Sequence, residues 1–208
     1  MLSSAIWPVR VECGSLALRP ISRRDKREWL QLRQQNAAWL APWEASNPDP
    51  NGSLPQFAEM VRSLNRQAKL ATALPWIITE IQPGRPAPVI VGQLTVSSIV
   101  WGSAMMATLG YWVDQASAGR GIAPTAVAMA TDHCFRDLGL HRMEINIRPE
   151  NSASLRVVEK LGFRDEGLRP RYLHINGSWA DHRSFALTAE EVPDGLLPGW
   201  LESSGRSC

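Results

Sequence analysis

The chain has 208 residues, 44% hydrophobic and 20% charged, with a formal net charge of +2. That composition suits a folded globular protein with one sizeable core, and a charge so mild, with no Lys/Arg block, gives no argument for nucleic acid, so none is expected as a partner. No apolar run approaches the ~18 residues of a membrane span, and no basic-then-apolar leader opens the chain, so a cytoplasmic, membrane-free protein is expected.

Residues 15–21 alternate Leu16, Leu18 and Pro20 and read as a first strand, placed at an edge because proline lacks the N–H that a second neighbour needs. Ser22, with Asp25 three residues on, predicts a helix start, and Trp29, Leu30, Leu32 and Arg33 carry the helix to Asn36 or Leu40 before Pro42 ends it. Residues 44–53 are loop by composition, and Leu54, Phe57, Met60, Val61 and Leu64 recur at helical spacing. Strands follow at 74–81 and 89–101, joined by a turn at 82–86, and at 105–113. A helix over 122–138 stops at Gly139, and a strand over 141–148 stops at Pro149. Asn151 or Ser152 caps a helix to Leu161, and residues 168–175 and 179–187 form a hairpin around Asn176-Gly177. The tail from 193 is rich in Gly, Pro and Ser and reads as irregular.

This order predicts an α/β (α+β) fold in one domain over 1–208, with a core at about 14–190 and an irregular tail at 193–208. Its mixed, mostly antiparallel sheet has about seven strands and about four flanking helices, and the strand–helix–strand of 105–148 permits one parallel pair. Cys13, Cys134 and Cys208 show no CxxC pair and no Cys/His ligand spacing. Neither a metal site nor a disulfide framework is expected, and Cys208 reads as incidental. The nine Trp, several beside Pro (Trp7-Pro8, Pro42-Trp43, Pro75-Trp76), point to aromatic packing around loops or to a pocket wall.

Function concentrates at Asp114-Gln115-Ala116-Ser117-Ala118-Gly119-Arg120-Gly121-Ile122-Ala123. A strand, a Gly-rich turn and a helix start gather backbone N–H groups and the positive end of a helix dipole, which suits a phosphate or pyrophosphate. A Gly-x-Gly pair by itself is common in tight turns, and its flanking elements give this one its weight.

With the element order, this stretch resembles the Gcn5-related N-acetyltransferase (GNAT) superfamily over roughly residues 14–190. Asn151 to Phe163 is similar to that family's Asn-led helix ending in Gly-Phe. Leu40-Ala41-Pro42-Trp43-Glu44 and Asn176-Gly177-Ser178-Trp179-Ala180-Asp181-His182 resemble the Rim branch, RimJ type, which acetylates N-termini of ribosomal proteins. The resemblance implies a central sheet splayed in the middle, acetyl-CoA as cosubstrate, direct transfer and an acceptor-protein N-terminus as partner, in a monomer or homodimer. It implies that Ala118, Gly119, Arg120, Gly121, Ile122 and Ala123 hold the pyrophosphate, that Val113 pairs with the pantetheine, and that Asn151 hydrogen-bonds the cofactor arm. Ala118 departs from the Arg or Gln usual there, leaving Gly119, or Arg120 closing over the phosphates, to compensate.

Acetyl transfer to an amine needs a neutral amine, an oxyanion stabiliser and a proton for the leaving thiolate. The Tyr that many relatives carry for the last task is Val158 here, so Ser154, also a cofactor-side residue, becomes the candidate acid; Asn146 stands where some relatives carry a Glu base. An α-amine titrates near 7.7–8.0 and is roughly one-tenth neutral at pH 7, whereas a lysine near 10.4 is neutral about once in 2,500, so an N-terminal acceptor tolerates a weak base. Glu44 is the candidate for holding or deprotonating it, with Asp181 and His182 behind, and Tyr111 as a candidate lining of the acetyl site. A GNAT enzyme for an antibiotic or polyamine, whose cleft should draw on carboxylates such as Glu44, Asp49, Glu59 and Asp181, and an acyl-CoA sensor without turnover are the alternatives.

Overall fold

Hydrophobic alternation in the strand segments builds a sheet of eight strands among the residues described by the structure, a computed structural model covering 6–49, 51–52 and 55–208. The strands are β1 Val11–Cys13, β2 Leu16–Pro20, β3 Leu74–Glu80, β4 Val89–Val100, β5 Met106–Val113, β6 Arg142–Ile147, β7 Arg164–Ile175 and β8 Ser178–Thr188. Their order is β1-β2-β3-β4-β5-β6-β8-β7, antiparallel throughout except for the parallel pair β5–β6. That pair runs from Met106↔Arg142 only to Thr108↔Glu144, although β5 continues to Val113 and β6 to Ile147. Beyond Thr108 the two strands part, and the sheet is splayed in its middle as expected.

The helices are α1 Lys26–Gln35, α2 Ala37–Leu40, α3 Phe57–Lys69, α4 Ile122–Asp132, α5 Ser152–Lys160 and α6 Leu196–Ser204. Leu54, expected to open the helix that became α3, lies outside the described residues. On one face, α1 and α3 bury Leu32, Phe57 and Val61 against Ile21, Ile77 and Ile90, with Trp29 and Trp112 packed alongside. On the other, α4 joins the main core with Leu18, Trp76, Leu94, Leu109, Met143 and Ile145. Every residue of α4 from Pro124 to Thr131 is buried. A helix without a polar side must be enclosed, and α6 supplies the cover opposite the sheet through Leu196 and Trp200.

Three expectations need correction. The strand expected to come first, β2, is not an edge, a place that belongs to β1. β1 pairs with β2 from Leu16 to Leu18 only, and Pro20 lies past its reach, paired with Trp76 on the other side. The tail is not wholly irregular. Asp132 accepts the first α6 N–H groups, from Leu196 at 2.6 Å and Leu197 at 2.9 Å, and Trp200 Nε1 donates to Thr125 Oγ1 at 2.8 Å. Gly205, in the left-handed region at φ 64°, then ends the helix. These partners lie far back in the chain, so local composition carries no sign of them. Nor is Cys208 incidental, since it is disulfide-bonded to Cys13 across 195 residues of sequence, and only Cys134 is a free, buried thiol. A crosslink closing so long a loop leaves no local spacing signal.

Candidate active site

A cleft of about 630 Å³ opens where β5 and β6 part. Its donor side is the strand–turn–helix already singled out. Gly119 and Gly121 adopt φ 76° and 80°, the left-handed region that favours glycine, and turn the chain into α4. Gly121 is the N-cap of α4 without a side-chain cap, so the Ile122 and Ala123 N–H groups lack intrahelical partners. A Cβ built on Gly119 would meet nothing within 4 Å, which leaves the loop surface open to a ligand. Uncapped donors on an open glycine surface fit a pyrophosphate.

Two side chains brace this loop, and sequence reading missed both roles. Asn36, buried after α1, donates to Asp114 Oδ1 at 2.8 Å and accepts from Gln115 N at 2.8 Å, fixing the strand-to-turn junction. Glu80, 5% exposed at the end of β3, receives Arg120 on both carboxylate oxygens, at 2.6 and 3.1 Å. Arg120 therefore steadies the loop from behind and does not line the cleft. A buried carboxylate holds its guanidinium, and Ala118 offers the loop no polar side chain of its own. The only sequence signals were an Asn ending a helix and a Glu ending a buried strand. Asn36→Ala would strand the Gln115 N–H and lower stability by about 1–3 kcal/mol. Urea denaturation checks this, and a loss below about 0.5 kcal/mol would mean the loop holds itself.

Val113 lies at the parting of the strands. Asp114 N donates to Val91 O at 2.8 Å, so by antiparallel alternation the backbone groups of Val113 and Tyr111 turn away from β4 towards the opening. Trp39 Nε1 takes the Val113 carbonyl at 3.3 Å. Opposite, Asn151 caps α5 by accepting Ser154 N at 3.1 Å, which engages its side-chain oxygen and leaves its NH2 for other partners. This cap turns Ser154 towards the cleft beside Tyr111. The Tyr111 hydroxyl is buried and makes no hydrogen bond of normal geometry, and burial, only partly offset by the nearby Ser154 hydroxyl, pushes its pKa up to about 12. Both hydroxyls stay neutral at physiological pH.

The far wall is aromatic, with Trp29, Trp39, Trp43 and Trp112 around Arg33 and Glu44. The Arg33 guanidinium stacks 5.6 Å from the Trp29 ring and 5.3 Å from Trp112, and forms an ion pair with Glu44. The β7–β8 hairpin secures this wall: Asn176 N donates to Glu44 O at 2.9 Å, and Ser46 N to His174 O at 2.9 Å. Asp181 does not reach the cleft. It accepts Arg171 N at 2.7 Å, at a bulge where Arg171 sits at φ 48°, and so secures the hairpin. His182 does not line the cleft either; its Nδ1 lies 3.0 Å from Ala180 O, and burial lowers its pKa. The remaining expected site residues, Val113, Ala118, Gly119, Gly121, Ile122, Ala123, Asn151, Ser154, Glu44 and Tyr111, all line the one cleft. No group of three or more His, Cys, Asp or Glu among the described residues is placed to hold a metal ion, and no helix of the described residues is long and apolar enough to cross a membrane.

A splayed mixed sheet, with helix-N-terminal donors on one side of the gap and hydroxyls on the other, defines an acyltransferase that takes its acyl group from coenzyme A. The Acetyltransferase (GNAT) domain family matches residues 15–164, and the chain belongs to it. Mycobacterium smegmatis RimJ, solved in complex with CoA-disulfide, is 36% identical with 97% of each chain covered and a TM-score of 0.85. The [ribosomal protein uS5]-alanine N-acetyltransferase of Escherichia coli is 28% identical over 191 residues, 92% of this chain and 95% of that one. With the Bacillus subtilis protein called "Probable N-acetyltransferase YjcK" the identity is 39% over 98 residues, and the match spans about half of each, 47% of this chain and 54% of that one. The RimJ/RimL relationship read from the motifs is thus shown. The protein is an N-acetyltransferase with acetyl-CoA as its cosubstrate.

Proposed function

We propose that this enzyme acetylates the N-terminal α-amine of a ribosomal protein in the cytoplasm. The observation that carries the choice of acceptor is the scarcity of carboxylates in the cleft. A site for a polyamine or aminoglycoside would gather several, yet of Glu44, Asp49, Glu59 and Asp181 only Glu44 lines it. Asp49 closes a local turn by accepting Asn51 N at 2.9 Å, Glu59 accepts Gln56 N at 3.3 Å at the start of α3, and Asp181 is committed to the hairpin. Glu150 is the other carboxylate lining it, 3.2 Å from Arg148; Glu44, among the tryptophans, suits a single ammonium on a peptide. The acceptors named for the RimJ-type relatives support the same reading.

In this reading Glu44 exchanges its Arg33 partner for the incoming ammonium, and water takes the proton from an amine already partly neutral near pH 7. Acetyl-CoA supplies the thioester acetyl group. The N–H groups of Gly119 to Ala123 hold its pyrophosphate, the Asn151 amide its arm, and the Val113 N–H donates towards the thioester oxygen. Ser154 gives its proton to the departing sulfur, with Tyr111 lining the acetyl pocket. Free-thiol release with peptides copying ribosomal-protein N-termini that begin Ala or Ser, run beside spermidine and an aminoglycoside, tests the acceptor. Turnover with the small amines alone would sink the proposal. Tyr111→Phe should leave the melting temperature equal or slightly raised, because an unpaired buried hydroxyl is removed. It should slow turnover severalfold if that hydroxyl orders the acetyl group, and an unchanged rate would make Tyr111 packing only.

A further inference from the structure

The acetyl donor carries several negative charges on its phosphates, whereas the loop that meets them offers neutral N–H groups, and its own Arg120 is neutralised by Glu80. A second guanidinium stands at this loop from the opposite end of the sequence. A Cβ built on Gly121 would lie 2.5 Å from Arg206 Cζ and 2.7 Å from its Nη2, so the Arg206 head group rests directly against the Gly121 backbone. Arg206 is exposed and has no ion-pair partner among the described residues.

Its position is held from both sides. Before it, Gly205 turns the chain out of α6, and Arg206 N donates to Leu201 O at 2.9 Å. After it, Cys208 is bonded to Cys13 at the end of β1, and Ser207 and Cys208 pack on the β1–β2 turn, 3.4–3.6 Å from a Cβ built on Gly14. We propose that Arg206 is a phosphate-binding residue for the acetyl donor, delivered to the pyrophosphate loop by the C-terminal segment and kept there by the Cys13–Cys208 disulfide. A dithiol reductant breaks the S–S bond, leaves a thiol on each cysteine and departs as its cyclic disulfide. The last residues then lose their anchor on β1, and Arg206 loses its fixed place. Donor affinity becomes dependent on the redox state of a bond remote from the chemistry.

The test measures CoA binding by tryptophan fluorescence or calorimetry and needs no acceptor, so its outcome is independent of which amine is acetylated. Arg206→Ala should weaken CoA and dephospho-CoA about tenfold and leave pantetheine, which lacks the phosphates, unchanged, while Arg206→Lys should recover part of the loss. Dithiothreitol, or Cys208→Ser, should weaken CoA several-fold in the otherwise unaltered protein and have no further effect in Arg206→Ala. Circular dichroism confirms that each variant is folded. Unchanged CoA affinity in folded Arg206→Ala, or equal weakening of pantetheine, overturns the phosphate role. Unchanged affinity after reduction overturns the role of the disulfide.

Discussion

Ser154→Ala is expected to lower kcat by about 10²-fold while leaving CoA affinity within about twofold, the signature of a lost proton donor. The departing thiolate needs a proton, and the position where many relatives carry a tyrosine is Val158, 1% exposed and packed into the core. Ser154 lines the cleft, and its own N–H is taken by Asn151, so the α5 cap fixes where the side chain points. The nearby Tyr111 hydroxyl makes no hydrogen bond, so Ser154 is not locked into another bond there. Ser154→Thr keeps a hydroxyl and should recover part of the rate. Free-thiol release gives the rate and fluorescence titration the affinity. Equal kcat in the alanine variant would remove Ser154 from the acid role, and parallel losses in rate and affinity would make it a binding residue.

Gly121→Val should cost at least about 10²-fold in CoA affinity and lower the melting temperature. The residue sits at φ 80°, where a β-branched side chain is strained by more than the roughly 1–2 kcal/mol typical of other L-residues. Its new carbons would also collide with the Arg206 guanidinium, 2.5 Å from the added Cβ. Relief requires either a rotated peptide, which misdirects the Ile122 and Ala123 N–H groups, or a displaced Arg206. Gly119→Ala is the comparison, since it shares the backbone strain at φ 76° but meets nothing within 4 Å. It should cost far less binding. Near-normal CoA affinity in Gly121→Val would refute the assignment of this loop to the pyrophosphate, and equal losses in the two variants would assign the effect to strain alone.

The strand–turn–helix on one side of the cleft was legible because it is built from neighbours in sequence. Strand, Gly-x-Gly turn and helix start place their own N–H groups, and these depend on backbone conformation, which glycine spacing reveals. The α5 cap was readable for the same reason, since Asn151 and Ser154 are one turn apart. Longer-range roles were hidden. Arg120 pairs with Glu80, 40 residues earlier. Asp181 accepts the backbone N–H of Arg171 at a bulge 10 residues earlier. An ionisable side chain in a loop carries no sign of which opposite charge will reach it first.

By itself, then, the sequence determined the strand and helix order between Leu16 and Thr188, the Gly-x-Gly turn into α4, and, through the family's motifs, the splayed sheet and the use of acetyl-CoA. All of these follow from periodicity and spacing within single elements or from motifs spread along the chain. The tertiary structure alone decided that the tail is a helix capped by Asp132, that Cys13 pairs with Cys208, that Arg120 faces Glu80, and that Arg206 rests on Gly121. In each, the partners lie 40 to 195 residues apart or on separate elements, brought together when the sheet buries its two faces. Burial chooses those partners, and burial is a property of the whole packed chain.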